Sequence, residues 1–235
     1  MFKQSILLGL FFFAVSCGQN KRSTELKSVS DSAVTPTETN IQDTVIKQSD
    51  TTNFKIKHEA YNQDINTLPP SLSQFVLEGY TAIDTTSGDL NLDQYSDIIM
   101  VLKKNGEDTS SNVIEHPEKR PMLILIGQAD NTYKLVARND NAVYCIDCGG
   151  MMGDPFMEVV IKKGYFSVEH YGGSGWRWTR TVTFKYSSAD NYWYLYKDGG
   201  DSFHAAEPEK VITKVKTTKD FGKVPFDKFD IYKED

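Results

Sequence analysis

The chain predicts an all-β fold, a mainly antiparallel meander building a twisted sheet, a small sandwich or a barrel, with one short helix at its N-terminal side. Three observations predict it. Apolar runs of strand length recur at 97–103 and 122–126, too short for helices and bounded by polar turn residues. Residues 176–186 alternate, with Trp176, Trp178, Val182, Phe184 and Tyr186 on one side and Arg177, Thr179, Thr181, Thr183 and Lys185 on the other. Only one segment carries helical spacing.

That segment opens the domain near Leu68. Pro69, Pro70 and Ser71 precede Leu72, Phe75 and Val76, and Gly79 follows as a stop. Residues 97–103 and 122–126 are apolar through their centres, as strands buried on both faces are. Asp130 and Asn131 turn the chain into a roughly alternating strand at 133–138. Strands at 157–161 and 165–171 flank Lys163-Gly164, a hairpin signal. The alternating strand at 176–186, the turn at 187–190 and a strand at 192–196 complete six or seven strands in series. From Val211 the chain is extended, and Val224, Phe226, Phe229 and Ile231 are expected to pin it to the sheet.

In the hairpin between residues 165–171 and 176–186, a loop of residues 171–175 is expected. It sets Glu169 opposite Arg177, His170 opposite Trp176 and Val168 opposite Trp178, pairing opposite charges on one side and largely apolar groups on the other. It also puts Arg180 on the apolar side, where Asp140, Asp147 or Asp154 would have to meet its charge.

The first residues address export. Lys3 gives a positive start, an unbroken apolar run follows to Val15, and Ala14, Val15 and Ser16 lead to Cys17. A secretory signal has this layout, and the run is too short to span a bilayer. Small residues directly before a cysteine resemble the lipobox of bacterial lipoproteins. That resemblance implies residues 1–16 as a signal peptide, Cys17 as the acylated first residue of the mature chain and attachment to the cell envelope, at the outer membrane. Residues 17–66 are rich in Ser, Thr, Asp, Gln and Lys and are expected to be a flexible tether. Residues 67–235 form the single β-rich domain.

The formal charge is −6 with acids and bases interspersed, which argues against a nucleic-acid partner, whose affinity rests on Lys and Arg neutralising phosphates. Cys145 and Cys148 remain once Cys17 is assigned. In an oxidising compartment such a pair forms a disulfide; redox and metal-binding roles are the alternatives. The glycine-rich stretch after Cys148 is a poor helix start for a redox motif. His170 and His204, the nearest histidines, match no zinc spacing.

Between Gly88 and Asp97, side-chain oxygens fall at Asp89, Asn91, Asp93 and Asp97, with the carbonyl of Tyr95 between the last two. Calcium takes six to eight oxygens, and this spacing can wrap them around one point. The run resembles the calcium loop of FG-GAP or integrin-type repeats, with an apolar strand directly after it, which implies structural calcium held by those residues. Gln94 stands where that pattern has glycine. The alternative is a polar turn whose Asp and Asn side chains bond their own backbone. The blocks at 137–141, 145–150, 153–156 and 169–178 resemble a group of uncharacterised bacterial lipoproteins and exported proteins, a resemblance that implies architecture and compartment but no activity.

Gly172, Gly173, Ser174 and Gly175 are similar to a serine-hydrolase elbow, but Trp176 occupies its last glycine position and strands, not a helix, follow. With no complete catalytic constellation, the expected function is a lipid-anchored envelope module that binds a protein or carbohydrate. His170, Trp176, Arg180 and Asp154 are its candidate ligand surface. The alternatives are a hydrolase using His170 with an acid, and an inhibitor or immunity-type lipoprotein that binds another protein.

Overall fold

The computed structural model describes residues 68–233. The expected signal peptide, Cys17 and the expected tether lie outside them. The described chain is all-β, two antiparallel meanders in series. β1 (Tyr80–Gly88), β2 (Asp97–Lys104), β3 (Met122–Gly127) and β4 (Tyr133–Asn139) form one sheet; β5 (Phe156–Lys162), β6 (Tyr165–Gly173), β7 (Trp176–Ser187), β8 (Tyr192–His204) and β9 (Ile212–Thr217) form the other. The two pack face to face as a sandwich. Among the described residues no helix is long and apolar enough to cross a membrane.

β2 and β3 are apolar throughout because each serves two cores. Ile99, Val101, Met122 and Ile124 face the second sheet, where they meet Phe166, Val182, Phe184 and Trp193. Ile98, Met100, Leu102, Leu123 and Leu125 point the other way. There Leu68 and Leu72 cover them, with Phe75, Val76 and Leu77 alongside. The helix expected in that segment is a single turn, α1 (Pro70–Ser73), with Pro69 at its N-cap and no side-chain cap. Its residues act as a lid over apolar surface, and packing rather than propensity holds them. Two further one-turn helices, α2 (Glu107–Ser110) and α3 (Thr218–Phe221), lie in connections.

Two strands exceed the expected series. β1 is rich in Thr and buries only Ala82. β9 is the exposed start of the expected tail. A bulge at Ile83 in β1 turns Asp84 toward β5, where its Oδ2 accepts the Val159 amide at 2.9 Å and its Oδ1 the Thr86 hydroxyl at 2.9 Å. Burial pushes the Asp84 carboxyl above its usual range. Nearby, a Cβ on Gly88 would stand 2.5 Å from Ile161, so glycine lets β1 and β5 close this side of the sandwich. The opposite side is filled by the C-terminal segment, as expected: Phe226, Phe229 and Ile231 are buried. Asn139 Nδ2 donates to the Phe226 and Phe229 carbonyls, and the Ile231 amide to Asn141 O at 2.9 Å.

The β5–β6 hairpin turns on Lys163 and Gly164, both left-handed, at φ 43° and 77°. The β6–β7 register corrects the sequence expectation. Gly173 lies opposite Arg177, Gly172 opposite Trp178, His170 opposite Arg180, Glu169 opposite Thr181 and Val168 opposite Val182. Gly172 and Gly173 belong to the strand, and Ser174 and Gly175 make the turn, with the Ser174 amide donating to Trp176 O at 2.8 Å. The Trp178 ring lies on Gly172, where a Cβ would sit 2.5 Å from Cζ2. The glycines therefore make room for an indole rather than for a loop. The slip is even, so each side chain keeps its expected face.

Candidate functional site

The Asp89–Asp97 run folds as a loop closed by its own hydrogen bonds. Asp97 is fully buried; its Oδ2 accepts the Leu90 amide at 2.8 Å and its Oδ1 the Gly127 amide at 3.0 Å. Desolvation holds its pKa above the ordinary value. Asp89 Oδ1 accepts the Leu92 amide, Asn91 Oδ1 the Asp93 amide, and Asp93 Oδ1 the Tyr95 amide. Left-handed backbone falls at Leu92, φ 65°, and not at Gln94. The loop is fastened to the second sheet through Gly164 N to Asp89 O and Trp193 Nε1 to Leu90 O, at 2.8 and 2.9 Å. In this arrangement the side chains of Asp89, Asn91, Asp93 and Asp97 each accept a backbone amide of the loop, and Asp97 also that of Gly127. Among the described residues, the one set of three metal-type donors within 4.8 Å of one another is Cys145, Asp147 and Cys148. Its two sulfurs are themselves at disulfide distance, with Cα atoms 5.1 Å apart. Asp147 between them accepts the Ser111 hydroxyl at 2.6 Å and the Val113 amide at 2.7 Å, fixing the hairpin that holds Ile114 in solvent.

The four residues expected to share a ligand surface are dispersed. His170 is sealed, 2% exposed, edge-on to Tyr144 at 5.0 Å and Phe156 at 6.3 Å. Desolvation, then the Arg180 and Arg120 cations, lower its pKa to about 3, so it is neutral and out of reach of a substrate. Trp176 stands in solvent at the hairpin end against His204. Arg180 forms a two-pronged pair with Asp198, at 2.9 and 2.7 Å, and donates to Tyr144 OH at 2.6 Å and Ile231 O at 3.0 Å. None of Asp140, Asp147 and Asp154 is its partner. Asp140 pairs with Arg138. Asp154 grips Arg120 with both oxygens at 2.7 Å, and Glu107 takes the rest of that buried guanidinium.

What the fold does assemble is a cleft of about 940 Å³ between β7–β9 and the end of the C-terminal segment. Its floor is Thr179, Gly199, Gly200 and Ser202. A Cβ on Gly200 would overlap the Thr179 carbonyl, so glycine both draws the strands together and leaves the floor bare. Tyr144, Trp178 and Tyr232 form its aromatic end, with ring centroids 5.7 Å from Tyr144 to each of the other two. All three are half-buried. Arg180 sits at their edge, Lys214 and Lys216 rise from β9, Lys233 closes one end, and Val113 and Ile212 stand at the rim. Of the residues expected at a ligand surface only Arg180 reaches this cleft. Trp178, expected on the apolar side of its strand, and Ile231, expected to pin the tail and buried as such, also line it. Tyr144 and Tyr232 carry no local spacing that marks them; a half-apolar position next to the cysteine pair is the one cue for Tyr144.

No protein-family model matches the chain, and no curated protein sequence matches it either.

Proposed function

We propose that this protein is an exported, lipid-anchored binding module of the cell envelope, held at the outer membrane through Cys17, whose ligand occupies the cleft between β7–β9 and the C-terminal segment. The cleft carries the reading. Its volume suits a ligand site, it joins aromatic surface to a few polar groups, and paired strands hold it rigid. His170, the expected acid–base group, is sealed and neutral and does not line the cleft, which removes support from a hydrolase built on it. The apolar run to Val15, followed by Ser16 and Cys17, supports the anchor. A second reading, an inhibitor-type lipoprotein, draws on loop tips that hold Ile114, Met151 and Trp176 in solvent.

Two measurements test the parts separately. Cys17→Ala should abolish labelling by fatty acid and release the protein from the detergent phase; unchanged labelling sinks the anchor. Fractionated envelope polysaccharide and protein, titrated into the labelled domain, should shift the NMR signals of Trp178, Gly199 and Tyr232. Shifts confined to Ile114, Met151 and Trp176 would replace the cleft with the loop tips.

Calcium at residues 89–97 belongs to this proposal on the oxygen spacing alone. Binding would draw Asp89, Asp93 and Asp97 together at the expense of the loop's own hydrogen bonds. A melt at about 100 times the Kd of calcium should then gain about 2.7 kcal/mol, lost in Asp93→Ala. Identical curves in calcium and chelator leave the loop a polar turn.

A further inference from the structure

The cleft reverses the sign of the chain. The protein carries a formal charge of −6, yet the cleft is lined by Arg180, Lys214, Lys216 and Lys233 against only Asp198 and Asp201. Asp198 is neutralised by both prongs of Arg180, and Asp201 accepts the Thr213 hydroxyl at 2.6 Å. The surplus therefore falls on the lysines. Lys214 makes no ion pair among the described residues, and Lys233 approaches Asp230 only to 4.0 Å. A concave surface lined by one sign concentrates ligands of the other. Lysine ammoniums are compact charges on flexible stems, suited to anions spaced along a chain rather than to one fixed anion.

The uncharged half of the lining narrows the class. Tyr144, Trp178 and Tyr232 offer half-buried rings, apolar in body and, at the two tyrosines and the indole N–H, polar at the tip, beside a floor that bears the Ser202 hydroxyl. That pairing matches a sugar ring, with its C–H faces and peripheral hydroxyls. A peptide recognised through its main chain needs an open strand edge. On the cleft floor β8 and β9 are paired to each other from Lys197–Thr217 to Ser202–Ile212, so the floor offers no such edge, and the open edge of β9 is on its other side, away from β8.

We infer that the cleft takes an acidic saccharide, a sugar chain bearing carboxylate, sulfate or phosphate groups, with its rings on the Tyr144–Trp178–Tyr232 end and its anions along Lys214 and Lys233. This rests on the cleft being the binding site. Calorimetry with the mature domain, using tetragalacturonate, a chondroitin sulfate tetrasaccharide, cellotetraose and tetraglutamate, tests it. At least one acidic saccharide should bind, weakening as salt rises to about 0.5 M, with cellotetraose and tetraglutamate at least about tenfold weaker. Lys214→Glu with Lys233→Glu, both exposed, should cost at least about tenfold without moving the melting temperature, and Lys162→Glu on β5 should change nothing. Cellotetraose binding as tightly overturns the charge requirement and leaves the cleft standing. Tetraglutamate binding as tightly makes the ligand an acidic peptide, and failure of both acidic saccharides overturns the inference. Binding unchanged by the lysine pair and by Ser202→Trp in the floor places the site elsewhere and takes the proposed function with it.

Discussion

Acidification from about pH 6.5 to about pH 4.5 should cost this domain about 2 kcal/mol through His170 alone. The fold keeps that imidazole neutral, first by burial and then by the Arg180 and Arg120 cations, and lowers its pKa from 6.5 to about 3. The unfolded chain takes up the proton near pH 6.5 and the folded chain does not. The contribution is therefore whole above pH 6.5 and drains at about 1.4 kcal/mol per pH unit as pH falls toward the folded value. Urea denaturation across this range, compared with His170→Phe and His170→Gln, reads the effect as a difference in slope. Burial pushes Asp84, Asp97 and Glu169 upward, and they act in the opposite sense, but they are common to all three proteins. A slope unchanged in both variants would show that His170 is protonated in the fold.

Arg120→Met should destabilise by about 3–5 kcal/mol, because it strands a charge that has no water to turn to. Arg120 and Glu107 are 1% and 2% exposed at their side chains, whereas Asp154 is 38% exposed. Burial alone would lower the Arg120 pKa, and the bonds to Asp154 and Glu107 more than reverse it. The cost thus lies with Glu107, and Asp154→Asn should be the milder change. Arg120→Met combined with Glu107→Leu should recover most of the loss, since both buried charges then leave together. Equilibrium urea unfolding of the wild type, Arg120→Met, Glu107→Leu and the double variant closes the cycle. A cost under about 1 kcal/mol for the single Arg120 variant would mean that Glu107 is hydrated.

The parts of this fold that burial alone dictates were legible in the sequence. β2 and β3 announce their two-sided burial through uninterrupted apolar runs, and Phe226, Phe229 and Ile231 announce the closure of the sandwich. β1 was silent because its work is done by Asp84 and Thr86 at an edge, and polar edge contacts leave no period. The β6–β7 register depended on whether Gly172 and Gly173 bend the chain or lie beneath Trp178, and only the position of that indole decides. Arg120 sits among polar loop residues and reads as solvated until Glu107 and Asp154 are brought to it. The cleft draws Tyr144, Trp178, Gly199, Lys214 and Tyr232 from separate segments, so no local spacing could express it.

The lid formed by Leu68, Leu72, Phe75, Val76 and Leu77 has a mechanical meaning if the chain is held at Cys17. Any pull on the domain arrives at Leu68 and meets this cover before it reaches a strand. The cover is tied down by side-chain packing and one helical turn, not by a ladder of paired backbone, so it peels one residue at a time instead of shearing at once. The first yielding would bare Ile98, Met100 and Leu102 while leaving the inter-sheet core and the cleft intact. A chain held at Cys17 would thus load this layer first, gaining reach as it yields and baring an apolar face.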